Sequence, residues 1–153
     1  MTRTLSFHKH CELCTTAGGI ILWQDALCRV VQIDDHDYPG FCRIILNRHV
    51  KEVTDLKRTD REHLMLVVFA VEEAVREVMH PDKINLASLG NMTPHVHWHV
   101  IPRFKRVRHF PNPIWGESKR ESLPQALDAS STEALKRAIA ARLDQGEQVF
   151  MGI

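Results

Sequence analysis

Residues 95–99 read His95-Val96-His97-Trp98-His99 and continue as Val100-Ile101-Pro102-Arg103-Phe104, setting three histidines at strict alternation inside an apolar run. In an extended chain alternate side chains share a face. The three imidazoles therefore project from one side, while Val96, Trp98 and Val100 project from the other, where Trp98 is expected to be core packing. At a rise of about 3.3 Å per residue the outer pair is about 13 Å apart along the strand. Metal–nitrogen bonds of about 2.0–2.1 Å make one three-histidine metal centre awkward over that span. A row laid along an elongated anion fits better, with one imidazole attacking and its neighbours supplying protons and charge stabilisation. Imidazole, with a pKa of about 6.5, is largely uncharged near neutral pH and so is available as a nucleophile. The bland alternative is a polar strand face that happens to be rich in histidine. Ten histidines in 153 residues, three of them in register, make chance a poor account.

Cys11-Glu12-Leu13-Cys14 is a second constellation. A Cys-x-x-Cys pair is a redox couple, half a zinc site or a coincidence. No strand-to-helix thioredoxin pattern surrounds it, which weakens the redox reading. Zinc needs two further ligands, and His8 and His10 lie close in the chain. Cys28 and Cys42 alternate with apolar residues and read as small buried hydrophobes. Arg103, Lys105, Arg106 and Arg108 form a basic run directly after the histidines. Such a run is either a solvated loop or a contact for an anionic substrate, with Arg103 best placed to steer it.

The elements that must position these residues follow from pattern. Residues 20–34 split at Gln24-Asp25 into two strands joined by a tight turn. Residues 34–40 (DDHDYPG) are a turn signal, and Phe41 to Leu46 is a third strand. Thr59-Asp60-Arg61-Glu62 has the capping-box pattern, and Leu64, Val67, Val68, Val71, Val75 and Val78 recur at helical spacing up to about Met79, before Pro81. Residues 84–89 read as a strand, Gly90 to Pro94 as a connection, and the histidine strand comes next. From Lys105 to Pro124 the chain is irregular but carries Phe110, Ile114 and Trp115, so it should pack onto something. Ser130-Ser131-Thr132-Glu133 opens a terminal helix with Leu135, Ile139 and Leu143 on one side and Gly146 at its end. Strands dominating the first half, with one long helix between strands, predict an α+β fold with a largely antiparallel sheet.

Composition sets bounds on function. The length suits one domain over residues 1–153, large enough to bury a core without disulfides. A net charge of +1 argues for neither nucleic acid nor membrane as partner. No apolar window reaches the ~20 residues of a membrane span, and no apolar stretch follows a basic start, so a cytoplasmic chain with reduced or metal-bound cysteines is expected.

His95-Val96-His97-Trp98-His99-Val100 resembles the signature of the histidine triad (HIT) family, a His-x-His-x-His followed by apolar residues. The resemblance spans about residues 11–104: a strand pair ending in an acidic loop, a strand ending near Asn47-Arg48-His49, a long helix, a strand, then a Gly-polar turn into the triad. Residues 105–153 would form the tail and terminal helix, and Pro113-Ile114-Trp115-Gly116 resembles the tail of bacterial members. The resemblance implies a HIT-like five-stranded sheet and a hydrolase or nucleotidyl transferase acting at the α-phosphate of a nucleotide. Dinucleoside polyphosphates or adenosine phosphoramidates are the implied substrates, and no cofactor is required for the chemistry. By the same resemblance His97 is the nucleophile that forms a covalent nucleotidyl intermediate. His99 contacts the phosphate oxygens, and His95 assists the leaving group or positions the row. Asp34, with Asp35 nearly as well placed, matches the acidic residue that holds the ribose hydroxyls. Asn91 stands where relatives carry a phosphate-touching Gln. Met92 departs from the Ser or Thr usual next, and Thr93 follows one place later. Some relatives place zinc between residues matching Cys11, Cys14, His49 and His95, which implies a structural zinc here. A homodimer is implied as well, with Trp115 as core, dimer contact or part of a partner's pocket. The rival readings are a phosphorylase or transferase on the same site, and a nucleotide- or zinc-binding module without turnover.

Overall fold

Five short strands, the inner ones buried on both faces, build one sheet in the computed structural model, which describes residues 6–123 and 128–144. In chain order these are β1 (Ile20–Gln24), β2 (Cys28–Gln32), β3 (Cys42–Leu46), β4 (Lys83–Ala87) and β5 (His97–Arg103), and every neighbouring pair is antiparallel, in the order β1-β2-β3-β5-β4. Among the described residues three α-helices, α1 (Glu12–Thr15), α2 (Arg58–Met79) and α3 (Ala129–Leu143), and one 3-10 turn, Val53–Asp55, complete the fold.

The two faces of the sheet have different tasks. Cys28, Val30, Cys42, Ile44, Leu46, Ile84 and Val100 pack against Leu64, Val67, Val68, Val71, Ala74 and Val75 of α2 and against Leu135 and Ile139 of α3. That face is the main core, and Trp98 packs on it as expected. Burying each such aliphatic side chain contributes roughly 1.5–3 kcal/mol, which makes this face the rigid backing for the other. On the opposite face Leu13 of α1 covers Val31 and Ile45, and Tyr38 and Phe41 cover Ile101 with Val107 and Ile114 beside them. The irregular segment after β5 does pack, held by the Arg103 guanidinium, which donates to the Asn85 side chain and the Asn112 carbonyl and lies over the Phe110 ring.

Several boundaries differ from those expected. α2 starts at Arg58 after Lys57, with no side-chain cap. Glu62 is engaged by Arg58 Nε at 2.7 Å instead of reaching back to form a capping box with Thr59. α3 is capped earlier than Ser130: the Asp128 carboxylate accepts from the Ser130 N–H at 2.9 Å, a stronger acceptor offered two residues sooner. Its expected end at Gly146 lies outside the described residues. α2 does end at Met79, where His80 takes the left-handed conformation (φ 49°, ψ 52°) before Pro81. The last correction matters most. The histidine run is not extended throughout, because the chain bends at His95 and β5 begins only at His97. Val96 N–H donates to the Val50 carbonyl at 2.8 Å and His95 N–H to Thr93, so both donors are taken by loops, while the Val96 carbonyl already accepts from Leu46 N–H of β3 at 3.2 Å. Among the described residues no helix is long and apolar enough to cross a membrane.

Candidate active site and adjoining metal-binding cluster

His97 and His99 stand side by side on β5, their rings edge to face at 5.0 Å between centroids. Strand pairing sets His97 opposite Ile45 and His99 opposite Arg43 on β3, and His99 opposite Ala87 on β4. His97 Nδ1 lies 2.6 Å from the carbonyl oxygen of His95. A carbonyl can only accept, so Nδ1 carries the proton and Nε2 keeps a bare lone pair. Burial holds the His97 pKa below its usual value, so this ring is neutral near pH 7. His99 is pushed further, to about 3, by burial first, then by the Arg43 cation and by repulsion from any proton on the neighbouring His97. Arg43 Nε donates to His99 Nδ1 at 3.3 Å. The Trp115 ring sits 4.9 Å from the His99 ring, and Phe41 lies 5.7 Å away on another side.

These rings open into a cavity of about 410 Å³ lined by His97, His99, Arg43, Glu12, the turn Gly90-Asn91-Met92-Thr93 and Trp115. The turn can be made because Gly90 takes φ +94°, a conformation that costs a non-glycine residue roughly 1 kcal/mol or more. A volume of this size falls in the range of small-molecule sites, and its wall offers a lone pair, a cation and several polar donors.

Acid sensitivity should follow from His99. Its folded pKa lies below the unfolded value of about 6.5, so between those values the unfolded chain binds more protons. The stability it contributes is complete above about pH 6.5 and is lost as pH falls toward 3. From pH 7 to pH 5 the loss is about 2 kcal/mol. Urea denaturation at both pH values should show this loss in the native chain and a smaller one in His99→Asn. An equal loss in both proteins would remove His99 as the cause.

His95 belongs to a different cluster. Its Nε2 donates to the Leu46 carbonyl at 2.7 Å, which leaves Nδ1 bare, 3.5 Å from Cys11 Sγ and 3.5 Å from Cys14 Sγ. His49 Nδ1 is 3.4 Å from Cys14 Sγ. The four donor atoms all lie within 4.8 Å of one another. A tetrahedral zinc with Zn–S of about 2.3 Å and Zn–N of about 2.0–2.1 Å has S···N edges of about 3.5–3.6 Å. The observed contacts match that edge. Burial lowers the pKa of both histidines, which keeps them in the neutral form that ligates. His8 stacks on His49 at 3.9 Å, and neither it nor His10 is part of this donor set. Arg29 ties the cluster to the sheet: its guanidinium donates to the carbonyls of Leu13, Thr16 and Ala17 and, at 3.4 Å, to the same Leu46 carbonyl that His95 uses.

The family model for the HIT domain matches residues 16–106. The chain belongs to the histidine triad family. Histidine triad proteins are generally nucleotide hydrolases or transferases. Among solved structures, a histidine triad protein from Bradyrhizobium japonicum is 28% identical, with 90% of this chain and 98% of that one covered and a TM-score of 0.70. A histidine triad protein from Marinobacter aquaeolei is 27% identical over 92% of this chain and 98% of its own, with a TM-score of 0.68. A zinc-bound histidine triad family protein from Mycobacterium smegmatis shares the fold at 22% identity, covering 90% of this chain and 97% of its own, with a TM-score of 0.62. No curated protein matched the sequence.

Within this histidine triad fold the expected site residues divide into groups. His97, His99, Asn91 and Thr93 line one cavity. Cys11, Cys14, His49 and His95 form the separate donor set. Asp34 is exposed beyond the end of β2 with His36 Nε2 4.0 Å from its carboxylate, and the Asp35 carboxylate accepts from the Asp37 N–H; neither lines the cavity. Arg103 is only 4% exposed and anchors the segment after β5. Of the later basic residues, Arg106 covers Phe104 and Arg108 pairs with Asp37. Cys28 and Cys42 are fully buried, and burial pushes the Cys42 thiol up to about 12. Arg43 was not among the expected residues. Its signal in the sequence is a single cation inside the strand Cys42-Arg43-Ile44-Ile45-Leu46, at alternation with Ile45 and so on the histidine face.

Proposed function

We propose that this chain is a nucleotide hydrolase that cleaves nucleoside 5′-phosphate derivatives at the α-phosphorus through His97. The observation that carries this reading is the His97 Nδ1 contact with the His95 carbonyl, which leaves an uncharged Nε2 lone pair on a residue that lines the cavity. In the first step that lone pair forms an N–P bond, and the bond from phosphorus to the leaving group breaks with its electron pair departing on that group. In the second, water attacks phosphorus and the N–P electrons return to Nε2, with the proton from water passing to solvent. His99 and the Asn91–Thr93 turn are the donors within reach of the phosphate oxygens. Asp34 or Asp35 would hold the ribose hydroxyls, as the resemblance implies. Arg103, being turned into the packed segment, acts only by its charge.

Cys11, Cys14, His49 and His95 would hold zinc, in keeping with their neutral nitrogens, their spacing and the zinc-bound relative. A bound zinc would supply a closed structural cross-link, and His95 then serves to position the row. A second copy of the chain would find an open edge on β4 and exposed Leu66 and Phe69 on α2, which supports a homodimer.

Incubation with diadenosine tetraphosphate and with adenosine phosphoramidate should release AMP from at least one of them. Rapid acid-free quenching should trap a nucleotide on His97 by mass spectrometry. Adding inorganic phosphate separates hydrolysis from phosphorolysis, since only the latter gives ADP from the trapped AMP moiety. Tight nucleotide binding without turnover of either compound would overturn the hydrolase reading and favour a binding module.

A further inference from the structure

Among the described residues the Arg43 side chain makes one hydrogen bond and has a surplus of donors. Its Nε reaches His99 Nδ1, its guanidinium lies 5.5 Å from the centroid of the Phe41 ring, and Nη1 and Nη2 make no hydrogen bond among the described residues. No carboxylate among them lies within ion-pair distance, and Glu12, across the cavity, acts on it only through space. A guanidinium cannot accept a hydrogen bond, so His99 Nδ1 must be the acceptor and the single ring proton must sit on Nε2. His97 is set the opposite way, with its proton on Nδ1 and its lone pair on Nε2. Two adjacent rings on one strand are thus fixed in opposite tautomers by different partners.

We propose that Arg43 is a positioning residue that locks His99 as a neutral N–H donor toward substrate, and that this arrangement suits leaving groups that depart as anions, phosphoanhydrides over phosphoramidates. This rests on the hydrolase reading above. When His97 displaces a polyphosphate, the P–O bond breaks and the departing oxygen keeps the electron pair, so no proton is needed. When it displaces an amine, the departing nitrogen must gain a proton as the P–N bond breaks. His99 is a poor source, because its Nδ1 is already held by a cationic donor and loss of the Nε2 proton would leave an imidazolate. The burial and charge that keep His99 from becoming an imidazolium act in the same direction. The free Nη groups add donors for a charged phosphate chain.

Arg43→Met and Arg43→Lys test this. Ring nitrogen–proton NMR of the native protein should show His99 protonated on Nε2 and His97 on Nδ1. Arg43→Met should move part of the His99 proton to Nδ1, and Arg43→Lys, which keeps a cationic donor, should preserve the native pattern. In kinetics, the native chain should favour diadenosine tetraphosphate over adenosine phosphoramidate in kcat/KM. Arg43→Met should lose about 10²-fold on the anhydride, the usual effect of removing one donor from developing charge, and about 10-fold less than that on the phosphoramidate, which shares the phosphate contacts but not the anionic leaving group. Arg43→Lys should recover most of the loss. Equal losses on both substrates, a native preference for the phosphoramidate, or a His99 proton on Nδ1 in the native protein would overturn the proposal. Absence of turnover on both substrates would overturn the hydrolase reading and the leaving-group preference with it, while the ring spectra still decide what Arg43 does to His99.

Discussion

His97→Ala is expected to lose at least about 10⁴-fold in kcat on whichever substrate the native chain turns over, because in the proposed reaction His97 supplies the bond to phosphorus. Nucleotide affinity should change little, since His99, Asn91, Thr93 and Arg43 still line the cavity. Folding should persist as well. The ring is 8% exposed and its one hydrogen bond is to the His95 carbonyl, so its removal costs about 1–3 kcal/mol, less than the stability of most domains. Steady-state kinetics together with calorimetric titration of AMP check both halves. A variant that retained more than about one per cent of the rate could not have lost its nucleophile.

Zinc content gives the second large effect. Protein purified without chelator should carry about one equivalent of zinc per chain, and Cys14→Ser should carry less than about a tenth. Cys14 is the sensitive choice because its sulfur lies against both His49 and His95 nitrogens. Structural zinc in small domains is worth roughly 10–16 kcal/mol of apparent binding energy, and 1 kcal/mol corresponds to about 2–4 °C in a domain of this size. Even with most of the fold standing on its own core, chelation should lower Tm by at least about 10 °C. Less than half an equivalent of metal, unchanged by Cys14→Ser, would dismiss the site, as would a chelator that leaves Tm unmoved.

The chemistry-bearing residues were legible in the sequence because their spacing is read directly by a strand. His97 and His99 share the cavity as period-two alternation requires, and the antiparallel five-stranded sheet with its long helix follows from the apolar pattern of residues 20–46 and 64–78. What alternation could not reveal is where the strand begins. Val96 pairs with Val50 and His95 with Leu46, contacts 46 and 49 residues apart in the chain, and these long-range bonds bend the chain ahead of His97. Arg103 illustrates how tertiary partners redirect a charge. Its type and place suggested an anion contact, yet two uncharged oxygens, on Asn85 and Asn112, claim its fork. Arg43 was illegible for a related reason: its neighbour His99 lies 56 residues away and is met only through cross-strand pairing. Helix starts were misplaced by one or two residues where a competing acceptor or ion pair, Asp128 or Arg58–Glu62, took the capping partner.

One amino acid holds both centres at once: the side chain of His95 is committed to the cysteines and the Leu46 oxygen, while its own carbonyl fixes which nitrogen of His97 is bare. Damage to the thiols therefore acts one residue away from the ring whose bare nitrogen the His95 carbonyl sets. His97→Ala, by contrast, removes none of the four donor atoms.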